Sequence, residues 1–364
     1  MTVFSPLAAP SATRAVLEAH GLAAKKSLGQ NFLVNDAVLG KILALAEAGE
    51  DDVVLEVGPG IGTLTTALLP RVRAVVAIER DRDLPAVLAE TCAPWADRFA
   101  LIEKDALEVH EEDLREALAL LPDTAQDKGA APSRHPESPA SASPLCHPER
   151  RREALSLCHP ERSGAEGDAE SKDPARRQPT LPAKLVANLP YAVAATLVLD
   201  YFERFGFIES ATVMAQSEVA DRMAARPGSK NYGAYTVKLS LFARAAGRFQ
   251  VAPASFFPPP HVESAVIRLE RAPLLDAQGA PVPDEVRAAT CIMADAAFAS
   301  RRKTLANSCK TYFAGRGAEG ARIAAALPEI FRSAGIDPVR RGETLSQGEF
   351  ITLGCALLEA ESSA

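Results

Sequence analysis

Asn188-Leu189-Pro190-Tyr191 gathers an amide, a backbone released from ladder pairing and an aromatic face within four residues. The Asn188 side-chain oxygen and a carbonyl near Leu189 can each accept one N–H of an exocyclic amine on a planar base. Tyr191 can stack on the ring of an extruded base. Such an amine is a poor nucleophile while its lone pair is delocalised into the ring. Two acceptors that hold its N–H bonds rotate the nitrogen and aim the lone pair. This is positioning and electrostatics, with no covalent enzyme intermediate. For N-L-P-Y alone, an ordinary turn is the competing reading.

Upstream, Glu56 to Gly62 reads E-V-G-P-G-I-G. Glycines at a strand end let backbone approach a ligand closely, and a following helix N-terminus favours anionic or polar groups. The spacing is G-x-G-x-G rather than the dinucleotide G-x-G-x-x-G, so a tight strand-to-helix turn competes. Glu79 ends the next predicted strand, where an acid in these folds holds ribose hydroxyls. Asp105 ends the third and can accept from an adenine amine. Either carboxylate alone could be a solvated strand end. The ordered set of loop, Glu79 and Asp105 resembles the S-adenosylmethionine pocket of class I methyltransferases. N-L-P-Y resembles the [DNS]-P-P-[YF] element of amino-methyltransferases. The combination points to methyl transfer onto a base nitrogen.

The elements that must hold these residues alternate. Strands are predicted at Asp52–Val57, Ala74–Ile78, Ala100–Glu103, Lys184–Ala187, Ala211–Gln216 and Ala265–Glu270. Helices are predicted at Ala37–Ala48, Thr63–Leu69, Leu84–Cys92 and Ala192–Phe205, with another reaching Ala225. Strand–helix alternation indicates a mostly parallel twisted sheet with helices on both faces, a Rossmann-like α/β fold. Ser255–Pro260 (SFFPPP) is expected to be neither strand nor helix, because three prolines fix φ and remove donors. After about residue 283 the pattern is helical, giving a small all-helical C-terminal domain. The expected organisation is a flexible leader at 1–24, a methyltransferase domain at 25–275 and the helical domain at 283–360. Residues 1–20 read as loose or as a short helix.

The chain has 364 residues, 47% of them hydrophobic and 24% charged, ordinary for a soluble globular protein with a sizeable core. No apolar run approaches the roughly 20 residues of a membrane span, and the N-terminus lacks a signal-peptide pattern. A cytoplasmic protein without membrane contact is expected. The six scattered cysteines, none in a C-x-x-C pair, are expected to be free thiols. A net charge of −7 excludes an overall basic coat but leaves room for a local basic patch.

Residues 122–182 differ in character. Pro, Ser, Ala, Arg and Glu dominate, and a twelve-residue repeat brings back His135, His147 and His159. A metal array is one reading. A disordered low-complexity insertion is favoured, since zinc ligands come with a folded core and this segment has too few apolar residues to fold. No metal is expected.

The family resemblance rests on five motifs in order: GQNFL (Gly29–Leu33), E-V-G-P-G, N-L-P-Y, F-F-P-P-P-H-V-E-S-A-V (Phe256–Val266) and A-F-A-S-R-R-K-T-L (Ala297–Leu305). The chain resembles the KsgA family of small-subunit ribosomal RNA adenine dimethyltransferases, over nearly its whole length outside the leader and the insertion. The resemblance implies S-adenosylmethionine as cofactor, with contacts at Asn31, Leu33, Gly58, Glu79, Asp105 and Asn188. It implies base stacking by Tyr191 with Phe256 near the base, and amine orientation by Asn188 and the Leu189-Pro190 backbone. It further implies dimethylation of two adjacent adenines near the 3′ end of 16S RNA, within the small subunit or its precursor. The sequence does not fix oligomeric state, and a monomer is the simplest expectation. Arg301, Arg302 and Lys303, with Lys310, Lys25-Lys26 and Arg340-Arg341, form a basic patch expected to meet RNA phosphates. A solvated helix face is the alternative. His261, after the prolines, is expected to be structural. Two other functions compete: a 23S RNA dimethyltransferase of the antibiotic-resistance type, and a non-catalytic ribosome-assembly or transcription factor.

Overall fold

A computed structural model describes residues 3–25, 28–122, 180–275 and 281–362. The repeat-bearing insertion lies almost wholly outside the described residues, and so do Cys146 and Cys158. The other four cysteines are free thiols.

The central sheet has seven strands: β2 (Val53–Val57), β3 (Ala74–Ile78), β4 (Phe99–Ile102), β5 (Lys184–Asn188), β6 (Ser210–Gln216), β7 (Ala243–Val251) and β9 (Ser264–Arg271). Their order is β4-β3-β2-β5-β6-β9-β7. The first five strands in that order run parallel, and β9 pairs antiparallel with both β6 and β7. Successive side chains of a strand point to opposite faces, and both faces are covered. Leu55, Val76 and Val213 pack with Leu114, Leu197 and Tyr201 on one side. Val54, Val75 and Met214 pack with Leu39, Ile42 and Leu68 on the other. Burial on both faces explains why β3 is a continuous apolar run and why β2 is buried at every position without alternation, Glu56 included. The sheet is the expected Rossmann-like one.

Strand order reverses between β2 and β5. The crevice beyond the carboxyl ends of strands at such a switch point is where open α/β sheets bind ligands. The glycine loop leaves β2 and N-L-P-Y leaves β5, so the two motifs become neighbours although about 130 residues separate them in the chain.

Four helices follow the sheet: Asp284–Phe298, Leu305–Ala314, Gly317–Ser333 and Gln347–Ser362. Their own core contains Met293, Leu305, Phe313, Ile330 and Phe350, together with Tyr232 and Val237 from the sheet region. Val286 and Cys291 pack in turn against the sheet core. Lys238 pairs with Asp295 at 2.7 Å. The sheet and helical regions therefore belong to one compact unit.

Three expectations are corrected. The N-terminal segment is not a flexible leader. Pro10–Ala19 is a helix whose Leu17 is buried with Phe32, Ile61 and Val87. The backbone N–H groups of Phe4 and Ser5 donate to Asp36, and Ser5 bonds Thr66 at 2.8 Å. Second, the proline-rich segment does contain a strand: β8 (Phe256–Phe257) pairs antiparallel with β1 (Phe32–Leu33). Two residues just ahead of Pro258 still have N–H groups to offer, so the prolines limit this pair without preventing it. Third, Glu111–Ala119 forms a helix absent from the sequence reading, with three acidic residues in its first turn, where they favour the helix dipole.

Candidate active site

The glycine loop owes its shape to backbone conformation. Gly58, Gly60 and Gly62 all have positive φ, at 69°, 61° and 87°. A side chain there is strained, and a Cβ on Gly60 would sit 3.1 Å from the Phe32 ring. The helix after the loop spans only Thr63–Leu68, so its dipole is small. The loop is held from the side instead. Glu79 Oε2 accepts from Gly60 N at 3.4 Å and Oε1 from Asp81 N at 2.8 Å. Burial raises the Glu79 carboxyl above its ordinary range against the pull of these bonds. Asp105 accepts from Leu107 N at 3.1 Å and pairs with Arg80 at 3.0 Å.

Asn188 ends β5. Its Nδ2 donates to the carbonyl of Asn31 at 3.1 Å. That bond settles the amide's orientation and leaves Oδ1 without a donor among the described residues. Leu189 N donates to Met214 O at 3.0 Å, which keeps the peptide on the edge of β6. The Leu189 carbonyl has no donor among the described residues. The Pro190 carbonyl accepts from both Val193 N and Ala194 N. Of the expected Leu189-Pro190 pair, only the Leu189 carbonyl is thus left open among the described residues. Pro190 serves as a wedge, its ring close to both Gly29 and Gly58.

One cavity of about 520 Å³ is lined by Asn31, Leu33, Gly58, Glu79, Asp105 and Asn188, and also by Leu189, Pro190 and Tyr191. Its size is typical of small-molecule sites, roughly 300–1,000 Å³. All six expected cofactor residues and the whole tetrapeptide thus share one space.

Phe256 does not. It is 3% exposed and packs in the core with Leu33 and Val266, so its ring presents no face to a base. Its pairing with Leu33 turns it inward. His261 is exposed and outside the cavity lining.

Three lining or adjoining residues went unassigned in the sequence. Glu56 is fully buried beside the cavity, and burial pushes its carboxyl up to about 8, with Glu79 adding to the effect. Its Oε2 has no hydrogen-bond partner among the described residues. Its place as the first letter of E-V-G-P-G was the available signal. Gln216 lines the cavity from the end of β6. Ser264 touches the site through Tyr191; its place in the Phe256–Val266 motif was the available signal.

The basic patch is smaller than expected. Lys25 is engaged by Asp81 and Asp83, and Arg340 by Glu349. Arg301 pairs with Glu343 at 3.3 Å. Arg302, Lys303 and Lys310 are exposed. Lys26 lies outside the described residues. No described helix is long and apolar enough to cross a membrane.

Known proteins resemble this chain over nearly its whole length. The sequence profile of the family described as "Ribosomal RNA adenine dimethylase" matches residues 21–346. Ribosomal RNA small subunit methyltransferase A of Acidothermus cellulolyticus is 35% identical, over 97% of this chain and 96% of the relative. The fold is similar to that of a dimethyladenosine transferase from Plasmodium falciparum, with a TM-score of 0.59 at 19% identity, covering 91% of this chain and 98% of the other. It is also similar to that of the 23S rRNA methyltransferase ErmE, with a TM-score of 0.52 at 21% identity, covering 90% and 99%.

Proposed function

The chain belongs to the ribosomal RNA adenine dimethylase family, and we propose that it dimethylates the N6 amines of two adjacent adenines near the 3′ end of 16S RNA. The substrate is that RNA within the small subunit or its precursor, met by a monomer in the cytoplasm. The relatives named as small-subunit methyltransferases, matched over almost their full length, support the choice of subunit.

The donor set fits S-adenosylmethionine. Glu79 offers carboxylate oxygens for ribose hydroxyls, Asp105 can accept from an adenine amine, and Gly58 and Gly60 leave room that a Cβ would take. Asn31 and Leu33 close the opposite wall. S-adenosylmethionine, when bound, supplies an electrophilic methyl group. The chain's own residues do the rest. Asn188 Oδ1 and the Leu189 carbonyl accept the two N–H bonds of the target amine and aim its lone pair. Tyr191 stacks on the base drawn out of its strand. No general base is needed before attack, because the methylated amine is acidic and gives its proton to water. Arg302 and Lys303 meet phosphates on the helical side.

The observation that carries this reading is the pair of unused acceptors, Asn188 Oδ1 and Leu189 O, beside a cavity that also contains Tyr191 and both strand-end acids. The test is methyl transfer from labelled S-adenosylmethionine to undermethylated small subunits, with products mapped by mass spectrometry. Dimethyladenine at two adjacent 3′-proximal positions of 16S RNA is expected. Label confined to 23S RNA, or tight subunit binding with no incorporation, would overturn the proposal.

A further inference from the structure

The Tyr191 hydroxyl lies 2.6 Å from Ser264 Oγ. Ser264 is completely buried, yet this contact is the only hydrogen bond its hydroxyl makes among the described residues. It opens β9 and sits in register with Gln216 at the end of β6 and Val251 at the end of β7. The residue before it is pinned as well, since Ser217 N donates to the Glu263 carbonyl at 2.9 Å. Ser264 is therefore paired on both sides at the end of the antiparallel ladder. Tyr191 belongs to a loop beyond β5 and is half-buried, with burial raising its phenol above the ordinary range.

We infer that Ser264 is a positioning residue for base capture: its hydroxyl tethers Tyr191 and so fixes the aromatic platform before the adenine arrives. This rests on the reading of Tyr191 as the stacking residue. A tyrosine ring held at Cβ by its backbone and at its hydroxyl by Ser264 cannot sweep sideways, because both ends of its long axis are anchored. Stacking alone needs only an aromatic face, which phenylalanine also supplies. The hydroxyl adds restraint. Ordering that is complete in the unbound enzyme does not have to be supplied on binding, and supported side chains hold productive geometry better than loose ones. The tether also joins two parts of one segment. Phe256, through its pairing with Leu33, braces the cofactor wall, and Ser264, eight residues on, braces the base platform.

The experiment is steady-state methyl transfer to undermethylated small subunits with the full chain and its Ser264→Ala, Tyr191→Phe, Ser264→Ala/Tyr191→Phe and Tyr191→Ala variants, alongside S-adenosylmethionine affinity. Each of the first two deletes the same hydrogen bond. Each is expected to lower kcat/KM roughly five-fold, the scale of one neutral hydrogen bond, with cofactor affinity unchanged and the double variant no worse than either single one. Additive losses, a wild-type rate in either single variant, or a parallel loss of cofactor affinity would overturn the inference. Tyr191→Phe retains the ring packing, so it decides the matter even if Ser264→Ala does not fold. Tyr191→Ala separates the two readings. A wild-type rate there removes Tyr191 as the platform, whereas a severe loss there with wild-type rates in Tyr191→Phe and Ser264→Ala removes only the tether.

Discussion

Replacing Asn188 by alanine deletes two interactions with different consequences. The first is the Nδ2 bond to the Asn31 carbonyl at 3.1 Å, which draws the Asn31–Leu33 wall against the end of β5. A neutral hydrogen bond contributes about 0.5–1.5 kcal/mol, so cofactor affinity should fall roughly 2–10-fold. The second is Oδ1 as an acceptor for an amine that becomes positively charged as it is methylated. An oriented group facing developing charge is worth about 2.7–4 kcal/mol, or ~10²–10³ in kcat. Subunit binding should hardly change, because Arg302 and Lys303 lie on the helical region away from the cavity lining. Single-turnover incorporation at saturating cofactor isolates the second effect, equilibrium dialysis the first, and filter binding the third. Asn188→Asp keeps an acceptor but sets a carboxylate against the Asn31 carbonyl. It should therefore bind cofactor poorly while keeping more turnover than alanine. A kcat for Asn188→Ala within about 3-fold of wild type, or a loss of subunit binding as deep as the loss of kcat, would refute the assignment of Asn188 as the amine's acceptor.

Three further outcomes are expected. The folded Glu56 carboxyl is raised to about 8 from an ordinary 4.5, so between those values the native state holds a proton that the unfolded chain has released. Its stabilising contribution is complete below the lower value and is lost as pH rises through the higher one. Glu56→Gln should remove that decline, so that the variant's Tm gains steadily on wild type as pH rises from about 5 to about 8.5; parallel Tm–pH curves would contradict it. Phe256→Ala should cost about 3–5 kcal/mol of stability in denaturant unfolding, as expected for a core ring, and a variant as stable as wild type would return Phe256 to the base side. Arg302→Ala/Lys303→Ala should weaken subunit binding and reduce the slope of log K against log salt by roughly 1.4–1.8, two phosphate contacts' worth; an unchanged slope would remove them from the RNA contact.

The sheet, the glycine loop and both strand-end acids were legible because their signals are local. Short β-branched runs such as Val53–Val57 and Ala74–Ile78, set between helical segments, fit buried strands, and a glycine cluster at a strand end announces a backbone that turns with positive φ. The two-residue β1–β8 pair was not legible, because a strand that short has no period and its partner lies more than 220 residues away. Whether the N-terminal segment is loose or a short helix is undecided in the sequence for a related reason. The residues ahead of the helix are held by Asp36, and the helix itself by a small cluster around Phe32 and Ile61 that only the fold assembles.

The sequence by itself determined the chemistry on offer: an amide and a carbonyl beside an aromatic ring, two acids at strand ends, and a loop without side chains. These residues are adjacent in the chain or sit at strand ends, so local patterning suffices to find them. The tertiary structure alone decided which of them line the cavity with an acceptor to spare. It turned Asn188 by a bond across 157 residues and left the Leu189 carbonyl open while filling that of Pro190. It buried Phe256, spent Lys25 on two aspartates and set Ser264 behind Tyr191. Each of these outcomes depends on strand register and long-range pairing. Register is a property of two segments at once, and no single stretch of sequence contains it.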